Sequence, residues 1–135
     1  MSRNRTHRRG ANAIEFAFTF PVIIVMMFIV MDYGWYFSQQ LAVNAAVRDA
    51  TRIGATTHGD SDTAAEEAAT EALLERLAAA GYTGEVTVDV RRVGEVGSES
   101  LHVGVALPYE PVSNLVPTPS TVKASQSMRL EQQQS

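Results

Sequence analysis

Residues 11–31 read ANAIEFAFTFPVIIVMMFIVM, twenty-one positions whose one charge is Glu15. As a helix rising ~1.5 Å per residue, this run reaches roughly 31 Å, about the thickness of a bilayer's hydrocarbon core. Its two flanks differ. MSRNRTHRRG, residues 1–10, carries Arg3, Arg5, Arg8 and Arg9 and no acid, whereas Asp32, Tyr33, Trp35 and Tyr36 follow the run. Amphipathic rings of that kind settle at a membrane–water boundary, which makes Tyr33, Trp35 and Tyr36 the expected interface residues. The arginines on one side predict a single pass over residues 11–33, with the N-terminus cytoplasmic and the C-terminal portion exported. A cleaved secretory signal has an apolar run of about 7 to 15 residues ending at small residues. Here the run is longer and meets Asp32, Gly34 and bulky rings, so the helix is expected to stay attached.

The remainder of the 135 residues allows one small domain. Eleven basic against fifteen acidic residues give a formal charge of −4, unlike the basic footprint of a nucleic-acid binder, and no nucleic acid is expected as a partner. With no cysteine, disulfides, thiolate nucleophiles and Cys-ligated metals are excluded, and an exported part must fold on packing alone. A mean hydropathy of −0.06 hides the segregation of apolar and charged residues along the chain.

Glu15 is the exception within the apolar run. A carboxylate in the hydrocarbon costs on the order of 2.5 to 3.5 kcal/mol on insertion scales, so it calls for compensation. It can stay hydrated near the cytoplasmic end or pair with Arg8 or Arg9. Its neighbours suggest more. Gly10 follows two arginines, Glu15 is the fifth residue beyond it, Phe16 the sixth, and the apolar helix follows directly. This arrangement resembles the class III signal of type IV pilins and pseudopilins, which a prepilin peptidase cuts after the glycine.

The longer string RRGANAIEFAFTFPVII, continued by DYGWYFSQQLAVNAAVRDATRIGA, resembles the TadE-like family of tight-adherence (Tad) pilus systems. The resemblance implies a minor pilin or pseudopilin of the bacterial inner membrane, incorporated in some cases into a surface pilus. Gly10 would precede the cut and Ala11 would become the first mature residue. Glu15 and Phe16 would be the motif's acidic and aromatic positions. A freed Ala11 amine, with a reference pKa of about 7.7 to 8.0, would be largely cationic and could pair with a carboxylate. In related filaments that carboxylate is thought to belong to an adjacent subunit. Such a pair, if buried, sets register more than it stabilises. The implied partners are a major Flp-type pilin, a TadF-like pseudopilin, the prepilin peptidase, an inner-membrane pilus platform and membrane lipid. Pro21 removes a backbone donor and is expected to kink the helix, either as a tolerated membrane proline or as a flexible point for leaving the bilayer.

Beyond the span the helix is expected to continue over residues 34–55. Val43, Ala46, Val47, Ala50, Ile53 and Gly54 fall on one stripe, with Asn44, Arg48, Thr51 and Arg52 opposite. The small stripe suits core packing or subunit contact. Residues 54–62, GATTHGDSD, read as a loop, set at 56–62 in the domain organisation. A second helix is expected from Thr63, where Thr63 and Glu66 have capping-box spacing, to Gly81. Ala65, Ala68, Ala69, Ala72, Leu73 and Leu77 form its apolar face, and Glu67, Glu71 and Glu75 a solvated or acidic docking row.

Three alternating patterns then predict strands: Val86, Val88 and Val90; Leu101, Val103, Val105 and Leu107; and Val122, Ala124, Met128 and Leu130. Residues 94–100 suit a hairpin, and residues 108–120, with four prolines, a long constrained loop. The expected fold is α+β, a long N-terminal transmembrane helix continuing into a small exported domain (63–131) with a second helix and a three-stranded antiparallel sheet. A tail at 132–135 is expected to fray.

No catalytic constellation emerges. His7, His58 and His102 show no metal-ligand spacing, and Asp60 and Asp62 lack the rest of a calcium loop. No catalytic residue, metal ligand or cofactor is assigned, and the chain is not read as an enzyme. The alternative function is an uncleaved single-pass scaffold or binding module with an exported domain. A further one is a surface adhesin that uses the helix only for export.

Overall fold

The structure, a computed structural model, describes residues 5–57, 63–95 and 98–130, with side chains from residue 12 onward. The element order is α1 (Arg5–Thr56), α2 (Ala64–Ala79), β1 (Thr87–Val93), β2 (Ser100–Pro108) and β3 (Thr121–Arg129). The fold is α+β with one long apolar helix, a second helix and a three-stranded antiparallel sheet. The chain divides into two compact units, one of residues 1–35 and 111–118, the other of residues 36–110 and 119–135.

In the second unit the sheet is a meander ordered β1-β2-β3. Val90 stands opposite Val103 across one ladder, and Leu107 opposite Val122 across the other. Residues two apart on a strand share a face, so Leu101, Val103, Val105, Leu107, Val122 and Ala124 point together into the core. Val43, Ala46, Val47 and Ala50 of α1 and Ala69, Leu73 and Leu77 of α2 complete it. The small stripe on α1 therefore serves core packing. Ala68, expected on the apolar face of α2, is half-buried, whereas Glu67, Glu71 and Glu75 are exposed.

Gly54 shows why the stripe is small. A Cβ there would lie 2.5 Å from Leu101 Cδ2 and 2.7 Å from both the Ala65 carbonyl oxygen and Ala69 Cβ. A methyl group would overpack the place where α1, α2 and β2 meet. The expectation that residues 54–56 belong to a loop is thereby corrected: α1 runs to Thr56, and Gly54 is buried within it. Thr51 is likewise corrected. Its side chain is buried, not opposite the core, because it follows Val47 by one helical turn and its hydroxyl donates to the Val47 carbonyl at 2.6 Å. Bonded this way, a buried hydroxyl avoids the cost of an unmet donor.

The helix stop at Gly81 has the backbone geometry of a Schellman motif. Gly81 adopts φ +87°, its N–H donates to the Ala78 carbonyl, and the Tyr82 N–H reaches the Leu77 carbonyl, both at 3.0 Å. The capping box does not form. Thr63 makes no side-chain cap bond; its hydroxyl instead donates to Glu67 Oε1 at 2.7 Å. Glu66 turns outward from its own helix and accepts the Arg92 N–H of β1 at 3.0 Å. On the opposite strand, Gln40 of α1 donates to the Lys123 carbonyl of β3 at 2.7 Å. Part of the 54–62 stretch, with His58, Asp60 and Asp62, lies outside the described residues, as do the tail 131–135, residues 1–4 of the leader and residues 96–97 of the hairpin turn.

Candidate functional site

The surface that distinguishes this chain is the N-terminal half of α1. Phe16, Phe18, Val22, Ile23, Met26, Met27 and Val30 are all exposed, Phe18 to 78 % and Val30 to 70 %. Within Asn12–Thr56, a helix long and apolar enough to cross a membrane, none of the most apolar eighteen-residue window is buried in the protein. Bulky aliphatic and aromatic side chains along several turns are the surface a bilayer or a set of packed helices can cover.

Gly10 and Ala11 lie within the helical range of α1. Glu15 is exposed, and its backbone carbonyl accepts the Thr19 hydroxyl at 2.9 Å. The Phe16 and Phe20 rings, one turn apart, are 5.4 Å from each other at 30°. Pro21 sits inside α1. A proline there leaves the carbonyl one turn earlier without its usual partner.

At the far end of the apolar run the side chains part company. Trp35 is exposed, and Tyr33 donates its hydroxyl to the Pro117 carbonyl at 3.1 Å. Tyr36 is half-buried in the second unit, edge-on to Tyr109 with ring centroids 5.1 Å apart. Asp32 is fully buried. Its Oδ1 accepts the Ser113 N–H at 2.9 Å, and its Oδ2 accepts the Ser113 hydroxyl. The Val112 backbone contributes another bond. A buried carboxylate is tolerable only when its oxygens are satisfied in this way. Asp32 thus fastens residues 111–118, the middle of the β2–β3 connection, to α1 within the first unit. Sequence reasoning missed this latch. Its partners are eighty-one residues apart, and the one local signal is an acid at the end of an apolar run.

Residues 10–52 match the family model described as TadE-like protein. Over this segment the chain is similar to TadE-like proteins. The TadE-like stretch contains Gly10, Glu15, Phe16, Pro21 and Asp32, together with the core stripe from Val43 to Ala50, whereas α2 and the sheet lie beyond it. No curated protein and no solved structure matches the chain.

On the sheet's other face, Asp89, Gly104 and Ser125 form one cross-strand row, flanked by His102, whose Nδ1 lies 2.9 Å from Ser127 Oγ. Among the described residues no group of three or more His, Asp or Glu side chains is placed to hold a metal. The row's Gly104 has space around it, the nearest atom to an added Cβ being 3.5 Å away.

Proposed function

We propose that the chain is a TadE-like minor pilin, or pseudopilin, that supports assembly, initiation or tip formation of a Tad-type pilus. The uncovered apolar half of α1 carries this reading, because it lies within the very segment that is TadE-like. Such a rod can exchange lipid for neighbouring rods, since both offer dispersion contacts to bulky side chains. Residues 11–33 anchor it in the inner membrane with the N-terminus cytoplasmic. The prepilin peptidase removes residues 1–10 after Gly10, taking the formal charge from −4 to −8 and freeing the Ala11 amine. Glu15 then receives that amine on an adjacent subunit and sets register, with Phe16 packed beside it. Pro21 supplies the flexible point during extraction from the bilayer. The partners are a major Flp-type pilin, a TadF-like pseudopilin, the platform and membrane lipid. The role is structural, with no catalytic step.

Mass measurement and N-terminal sequencing of the membrane-extracted chain test processing. The expected mature protein starts at Ala11, and Gly10→Val leaves the leader in place. Glu15→Ala is expected to be processed normally but to be lost from purified filaments. A native chain that keeps MSRNRTHRRG and never co-purifies with filaments supports instead an uncleaved membrane scaffold.

A further inference from the structure

The β2–β3 connection is more than a link between strands. Its residues 111–118, PVSNLVPT, group with the apolar half of α1. Asp32 and Tyr33, the residues that close the apolar run, hold the segment through Ser113 and Pro117. The segment therefore lies at the level where a membrane-spanning α1 leaves the hydrocarbon.

We infer that residues 111–118 form a second membrane contact, in which Val112 and Leu115 enter the lipid interface and the Asp32–Ser113 latch positions them. This rests on the proposed membrane span. Four observations support it. Val112 and Leu115 are 57 % and 68 % exposed, two aliphatic side chains turned to solvent on a loop whose third, Val116, is half-buried. The loop bends at Asn114, whose φ of +56° is left-handed, while the Leu115 N–H bonds back to Ser113 Oγ at 3.3 Å, so the turn is organised from within. Residues 111–118 bear no charge that interfacial burial would have to desolvate, and Pro111 and Pro117 have no N–H to leave unpaired. Finally, the loop belongs to the same compact unit as the exposed apolar half of α1 and is bonded to the end of that run, where Trp35 is also exposed. A surface element of this kind sits ~5–10 Å into the headgroup and upper acyl region without crossing.

The chain's lack of cysteine makes the test direct. Single Leu115→Cys, Val112→Cys, Val25→Cys and Glu71→Cys variants of the full chain are labelled with a polarity-sensitive fluorophore. Each is reconstituted into phosphatidylcholine vesicles with lipid-borne nitroxide quenchers at headgroup or mid-chain depth. Labels at 115 and 112 are expected to emit blue-shifted and to be quenched most by the shallow nitroxide. The label at 25 should respond most to the deep one, and that at 71 should behave as in water. Adding Ser113→Ala to Leu115→Cys is expected to remove most of the quenching at 115 while leaving α1 helicity by circular dichroism unchanged. Labels at 112 and 115 that behave like the one at 71, with position 25 still deep, overturn the loop contact and spare the span. A water-like label at 25 overturns both. Protection at 115 that appears only with other pilus subunits present overturns lipid as the occupant. Quenching that survives Ser113→Ala overturns the latch as the positioning device.

Discussion

One helix carries two opposite uses of hydrophobicity. In the first unit Phe18, Met26 and Val30 are large and exposed, while in the second Val43, Val47 and Ala50 are small and shut away from solvent. Both stretches are apolar, yet only the second is used by the protein to fold. Small residues permit the close approach that a thin domain needs to exclude water. Large ones on a surface with no internal partner offer contact area to lipid or other rods. Side-chain size along α1, more than mean hydropathy, marks where internal packing ends and external packing begins.

Truncation should separate the two uses most strongly. Leu73, fully buried between α2 and the sheet, is expected to cost about 2–5 kcal/mol as Leu73→Ala. Phe18→Ala should leave the same transition unmoved. Denaturant titration of the detergent-solubilised full chain, followed by hydrogen exchange of the β2 amides, checks both; equal losses would erase the distinction.

Two glycines of α1 sharpen it with a smaller effect. Gly54→Ala is expected to destabilise the second unit by about 1–3 kcal/mol through overpacking, since Leu101, Ala65 and Ala69 crowd the added methyl. At Gly34 an added Cβ meets nothing within 4 Å. Gly34→Ala should therefore gain up to about 1 kcal/mol from helix propensity alone. Paired denaturation midpoints read the opposite signs.

The smallest effect is a pH dependence confined to the second unit. Burial pushes the Tyr82 hydroxyl above the usual tyrosine pKa. Because the neutral form is favoured in the fold, this contribution is intact below the unfolded pKa of about 10 and lost as pH rises through the folded value. Tyr82→Phe is expected to flatten the alkaline limb of stability against pH, measured by the same exchange signal.

Much of the architecture was legible because it rests on local period. The alternation of Leu101, Val103, Val105 and Leu107 identified a strand's buried side, and the spacing of Ala69, Leu73 and Leu77 identified a helix's. What local period cannot supply is the identity of the neighbour that arrives. Gly54 signals a turn or a crowded crossing equally well until Leu101 is known to meet it. Glu66 has capping spacing, but β1 offers its carboxylate a better donor at Arg92. The same holds for the candidate site. Gly10, Glu15 and Phe16 announce themselves by spacing, whereas Asp32 acquires its meaning only from Ser113 in a distant loop.

The two side chains that reach the rims of the meander have a consequence for how copies of the chain meet. Glu66 occupies an outward amide of β1 and Gln40 an outward carbonyl of β3, while Lys123 and Arg129 place like charges along that last strand. Sheets left bare at their rims invite foreign strands to zip on and grow into fibrils. Here an incoming strand would first have to displace a helix-borne hydrogen bond at either edge, which disfavours sheet-to-sheet pairing between copies.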